Sequence, residues 1–200
     1  MILMMVEDQF YSKQLGSFKM RFLLLAFIFT SSLFSLGINE SLLSIHATLV
    51  PKIPLMDYKF RDKLNNNAIS VIIFYDSSEY KNARVLQEKI QLKYNKGIKN
   101  YPVKTTLVNY KKANIEKANI YYLFPSNKKN INKVLKLSAK NGAITFAYSS
   151  TDLAQGCMIA LNIGTKVKPI INLNAIKLHH IELRPTLLKI STIYSSRDSL

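Results

Sequence analysis

The hydrophobic positions of this chain come in two alternating rhythms. From Asn39 to Val50 the apolar residues Leu42, Leu43, Ile45 and Leu49 recur at helical spacing, and Asn39 is placed to cap the start. Pro51 and Pro54 are expected to end that helix. A short amphipathic stretch, Asp57 to Leu64, leads into an Asn65-Asn66-Asn67 turn. Ala68 to Tyr75 is then apolar almost throughout and rich in β-branched and aromatic residues, as a central strand covered on both faces requires. Asp76-Ser77-Ser78 predicts a helix cap; Tyr80, Ala83, Leu86, Ile90 and Tyr94 share one face of the following helix, which Gly97 ends.

Val103 to Val108 suits a second strand and Ile120 to Phe124 a third, closed by Pro125 and Ser126. The next helix puts Ile131, Val134, Leu135 and Ser138 on one face and lysines opposite, and stops at Asn141-Gly142. Ala143 to Tyr148 is a fourth strand, Ser149 to Gly156 a loop or short helix. Cys157 to Ile163 and Val167 to Leu173 flank Gly164-Thr165-Lys166 and predict a β-hairpin. Asn174 is placed to cap a last helix, with Pro185 as an early break or first-turn residue, before a polar tail. This order predicts an α/β fold: a three-layer sandwich with a mostly parallel sheet and a C-terminal antiparallel hairpin. The expected organisation is an N-terminal helical segment over 38–66 and one α/β domain over 67–194.

The first 37 residues follow a different pattern. Phe22 to Phe29 is continuously apolar, Leu33, Phe34 and Leu36 extend it, Lys19 and Arg21 precede it, and Ser35 and Gly37 are small residues at a peptidase site. That is a secretory signal, and its uninterrupted part is short of the roughly 20 residues a membrane-spanning helix needs. Residues 1–19 carry Glu7 and Asp8 and are long for a signal's basic start, so translation is expected to begin at Met20. Residues 1–37 are thus expected to be an over-called start plus a cleaved signal peptide, with an uncleaved anchor as the alternative. The expected location is the periplasm.

Composition adds one complication. With 48% hydrophobic residues the chain can fill a core, yet its 28 basic and 12 acidic residues leave a net charge of +16. Removing residues 1–37 takes away Lys13, Lys19, Arg21, Glu7 and Asp8, so the excess stays with the folded part. Nucleic acid binds such surfaces by counterion release, but the lysines are scattered and no aromatic stacking platform accompanies them. Tyr121 and Tyr122 sit in an apolar run and are expected in the core. No nucleic-acid partner is expected. A composition biased toward Lys, Asn and Ile accounts for the charge, and an anionic membrane or acidic protein would also suit it.

Candidate chemistry is sparse. The lone Cys157 excludes an internal disulfide and lies ahead of an apolar run, where a thiol is inert. His179 and His180 are adjacent and so point apart, while His46 lies opposite the polar stripe of its helix with no partner visible in sequence. There is no Gly-rich phosphate loop and no G-x-S-x-G elbow. Ser77, Ser78, Ser149 and Ser150 fall at strand ends, where open α/β sheets place ligands, but ordinary helix capping explains them better. Asp76 and Asp152 also fall at strand ends; a phosphoacceptor role for Asp76 lacks the preceding acidic pair and later lysine it requires. No catalytic, cofactor-binding or metal-binding residue is assigned. The chain is expected to be a non-enzyme without cofactors.

The C-terminal third carries a recognisable pattern. Gly156, Met158 and Ile159, then Ile171-Asn172-Leu173, then Leu188 stand where the YfiR family has a Gly-ended loop, a Met-Ile strand, an Ile-Asn-Leu strand and a helix ending in a Leu-Leu pair. The chain resembles that family over about residues 68–192, most strongly from Ala143 onward. The resemblance implies a small periplasmic α/β regulator; the best-known type represses an inner-membrane diguanylate cyclase by binding its periplasmic part, and similar domains accompany sensor kinases. Two departures stand out. The chain has no Trp, with Val50-Pro51 in place of the family's Trp-Pro, and its single cysteine rules out control by an internal disulfide.

Three functions compete on these grounds. The first is a periplasmic regulatory module binding an inner-membrane signalling protein. The second is an envelope small-ligand carrier using the loops after Tyr75 and Tyr148. The third, a cytoplasmic nucleic-acid binder, would need Phe22 to Leu36 as a buried helix. Self-association into a homodimer is left open.

Overall fold

The computed structural model describes residues 40–112 and 115–195. The proposed signal segment lies outside the described residues, as does Asn39. The chain divides after Leu42, and the fold described here belongs to the unit that begins at Leu43.

Seven strands of the described residues form one sheet: β1 (Ile69–Tyr75), β2 (Val103–Asn109), β3 (Ile120–Leu123), β4 (Ile144–Ala147), β5 (Ile159–Ile163), β6 (Val167–Ile171) and β7 (Thr192–Ile193). Their order is β2-β1-β3-β4-β5-β6-β7. All neighbours are parallel except β5 and β6, the predicted hairpin, which pair antiparallel with Ile159 opposite Ile171. The helices are α1 (40–49), α2 (Tyr80–Lys93), α3 (Lys128–Asn141), α4 (Leu173–Leu178) and α5 (Pro185–Ile190).

Side chains alternate across a strand, so each strand feeds two cores. Val71, Ile73, Tyr122 and Phe146 meet Leu43, Leu86, Ile90 and Ile176 on one face. Ile72, Phe74, Tyr121 and Leu123 meet Ile131, Val134 and Leu153 on the other. Full burial of such a side chain contributes about 1.5–3 kcal/mol. The result is the three-layer α/β sandwich with a mostly parallel sheet that the hydrophobic pattern predicts.

Several local expectations change. The buried stripe of α1 is Leu43, His46 and Ala47, continued by Val50 just beyond it, while Leu42, Ile45 and Leu49 are only half-buried. Pro51 and Pro54 do not stop the chain's coiling; it tightens into a 3-10 helix over Val50–Met56, where proline's missing N–H costs least. α2 ends at Lys93, three residues before the turn around Gly97. Gly142 ends α3 as expected, in the left-handed conformation at φ +65°. The last helix is two helices, α4 and α5, with Pro185 in the first turn of α5. Its cap is Asn172, not Asn174: the Asn172 carboxamide accepts from the Ala175 N–H at 3.1 Å. The expected polar tail contributes β7, which pairs with Ile170 and Ile171 of β6.

Candidate functional site

The chain leaves β1 through α2 to β2 on one side, then crosses to β3 on the other, so the direction of winding reverses between β1 and β3. In open α/β sheets a ligand crevice lies beyond the carboxyl ends of the strands at such a reversal. Here that position is tied shut. Ser126, just past β3, donates its hydroxyl to Asp76, just past β1. The Asn130 amide of α3 donates to Asp76 Oδ1 at 3.3 Å and to Ser126 Oγ at 2.8 Å. Asp76 therefore does not cap α2 with its side chain; its carboxylate clasps the two loops together. The side-chain oxygens of Asp76 find donors on Ser126 and Asn130 across the crevice in place of the local backbone.

Beneath the clasp, on the α1 side of the sheet, lies a block of aromatic rings. Tyr122 stacks on Phe146 at 5.7 Å between centroids, and Phe124 stacks on Tyr148 at 5.3 Å. His46 sits against three of these rings, 5.7 Å from Tyr122, 5.5 Å from Phe146 and 5.7 Å from Tyr148. It is fully buried. Its Nδ1 and the Tyr122 hydroxyl share a hydrogen bond of 2.6 Å, and Nε2 has no hydrogen-bond partner. Burial among rings holds the imidazole neutral, with its pKa lowered to about 4. The sequence pattern placed His46 away from the polar stripe but showed no partner; Tyr122 lies 76 positions along the chain.

The other face buries an acid. Asp152 is 6% exposed; its Oδ1 accepts from the Gln155 amide at 2.9 Å, while Asp152 Oδ2 and Gln155 Oε1 have no donor. Burial raises the carboxyl pKa. Nearby Cys157 is fully buried in the hydrophobic core of that face, and burial together with Asp152 pushes its thiol pKa far up. His179 is half-buried, 3.5 Å from the Ser138 hydroxyl, while His180 is exposed in the left-handed region. Ser77 and Ser78 are exposed; Ser149 caps the 3-10 turn over Ser150–Gln155 by accepting from Thr151 N–H at 3.3 Å. Among the described residues no three His, Cys, Asp or Glu side chains gather as metal ligands, and no helix is long and apolar enough to cross a membrane.

A family model described as DUF4154, YfiR/HmsC-like, matches residues 62–192. The chain belongs to the YfiR/HmsC-like family. The residues that carry the YfiR resemblance have structural work to do. Gly156 ends the 3-10 turn at φ +108°, a conformation that strains any residue with a Cβ. Met158, Ile159 and Ile171 are buried. Asn172 caps α4 and also donates to the Leu153 carbonyl at 3.0 Å, fastening hairpin, turn and helix together.

No curated protein matches the sequence. Among solved structures the chain is similar to a conserved domain protein from Vibrio cholerae O1 biovar El Tor, with a TM-score of 0.51 and 13% identity over 76% of this chain and 60% of that one. It is also similar to an ABC domain in complex with L-Trp from Streptococcus pneumonia, with a TM-score of 0.46 and 12% identity over 71% of this chain and 60% of that one. The match spans about 60% of each solved relative's length. The Vibrio cholerae likeness is one of fold, and family membership supports a regulatory role in general terms.

Proposed function

We propose that this protein is an exported, non-enzymatic regulatory module that acts by binding the envelope-facing part of an inner-membrane signalling protein, such as a diguanylate cyclase or a sensor kinase. The observation that carries this reading is the YfiR/HmsC-like match over residues 62–192. The clasp supports it as well. With Asp76, Ser126 and Asn130 bonded across the reversal point, a small-ligand carrier would first have to break those bonds, whereas a surface-binding regulator uses the fold as it stands. The signal-like segment from Lys19 to Gly37 supports export.

Deletion of the gene, followed by measurement of cellular cyclic-di-GMP and biofilm, tests the role. A change restored by the intact chain supports it; unchanged levels, together with no membrane partner after cross-linking, would remove it. N-terminal sequencing of the protein from fractionated cells tests the export step, with Ile38 as the expected first residue.

A further inference from the structure

We propose that the groove between α3 and the chain leaving β2 is a docking site for an extended, acidic polypeptide segment of the partner. The inference deepens the regulatory reading and rests on it for the existence of a partner. α3 contains five lysines and no carboxylate. Lys129, Lys133 and Lys136 lie at helical spacings that share one side of α3. With Lys111 opposite, they line a groove of about 790 Å³ to which Asn130 and Asn132 also contribute.

No ion pair among the described residues neutralises these lysines: Lys59 with Glu182, Lys63 with Asp57 and Arg84 with Glu88 lie elsewhere. The Asp76 carboxylate beside Asn130 is held in the clasp. One lysine is held in place: the Lys133 ammonium donates to the carbonyls of Tyr110 at 3.0 Å and Lys112 at 2.7 Å. This clamp ties one wall of the groove to the helix. Two of its three N–H groups are spent on carbonyls, which do not cancel its charge, so the third is left for an anion with the ammonium already in place.

Shape and charge select the occupant. Lys133 is held against the Tyr110 and Lys112 carbonyls at the wall of the groove, a placement that suits a chain lying in the groove better than a flat headgroup plane. An extended chain can lie in the groove with carboxylates toward Lys111 on one wall and Lys129, Lys133 and Lys136 on the other, and its peptide groups near the Asn132 amide. Nucleic acid would want aromatic faces among the lysines, but Tyr110 is buried and spends its hydroxyl on the Phe124 carbonyl. A second copy of this chain brings the same excess of basic residues, which opposes its docking on a lysine-lined groove.

The test is fluorescence anisotropy with a labelled peptide of alternating Glu and Gly at low salt, using the full chain and two charge-matched variants. One carries Lys129→Glu and Lys136→Glu in the groove; the other carries Lys81→Glu and Lys93→Glu on α2. Binding to the unaltered protein should weaken as salt rises, fall about tenfold or more in the groove variant and stay within about twofold in the α2 variant. The milder pair Lys129→Gln and Lys136→Gln should show the same loss if the glutamates disturb folding. Equal losses in the groove and α2 variants would mean net charge alone and overturn the proposal. So would phosphatidylglycerol vesicles or single-stranded DNA binding through Lys129 and Lys136 where the peptide does not. Cross-linking in cells separates the two readings. A membrane partner caught equally by the groove variant sinks the groove and spares the regulatory role; peptide binding intact with no membrane partner does the reverse.

Discussion

On the sheet face covered by α1 and α2, His46 is buried in aromatic rings with one nitrogen bonded to Tyr122 and the other unpartnered. On the face covered by α3, Asp152 is buried beside Gln155 with one oxygen bonded and the other unpartnered. Desolvation disfavours the charged form of both groups, but one is a base and the other an acid, so their pKa values move in opposite directions. The two faces should therefore answer pH with opposite signs. For His46 the folded value lies below the unfolded one, so stability is whole above about pH 6.5 and is lost as pH falls toward 4. For Asp152 the folded value lies above the unfolded one. Its contribution is whole below about pH 3.9 and is lost as pH rises through the raised folded value.

The largest expected effect breaks the first face. Phe146→Ala removes a ring stacked on Tyr122 and touching His46, and should cost about 3–5 kcal/mol in urea unfolding. A loss below about 1 kcal/mol would mean that the aromatic block is not a packed core. Next is the acid limb of the stability curve: between pH 6.5 and 4 the protein should lose on the order of 3 kcal/mol through His46. His46→Phe should flatten that limb, and an unchanged slope in the variant would assign the loss to other groups.

Smaller effects sharpen the contrast. Tyr121 and Tyr122 are sequence neighbours that point to opposite faces. Tyr122→Phe strands the second nitrogen of His46 and should cost about 1–3 kcal/mol, the penalty for a buried group left unpaired. Tyr121→Phe loses bonds to the Glu116 carbonyl and the Asn141 amide, groups nearer the rim, and should cost about 1 kcal/mol or less. Equal losses in thermal melts would contradict this ordering. Asp152→Asn keeps Oδ1 as the acceptor for the Gln155 amide and removes a carboxyl whose charged form burial disfavours. It should raise stability at pH 7 by about 1 kcal/mol; a destabilised Asn variant would show that the carboxylate is charged and paired in the folded protein.

The strands and the two long helices were legible in the sequence because their signal is local. A run such as Ile69–Tyr75 is buried on both faces and so apolar at nearly every position. Gly142 was readable as a stop because few other residues tolerate its backbone angles. The YfiR pattern was legible for the same reason, since Gly156 and Asn172 hold local turns and caps.

Partnerships across long separations were not legible. α1 carries apolar residues on more than one side, and only docking on the sheet chose Leu43, His46 and Ala47 over Leu42, Ile45 and Leu49. Asp76 looked like a cap because Asp before a helix usually is one; Ser126 and Asn130, 50 and 54 positions away, outcompete the local backbone. β7 is two residues of ordinary composition that became a strand because β6 offered an open edge. Periodicity and backbone preference act over a few residues, so the chain alone determined its layers and most of its elements. Which polar groups meet in the crevice and under α1 depends on elements brought together from distant parts of the chain, and only the folded structure decided that.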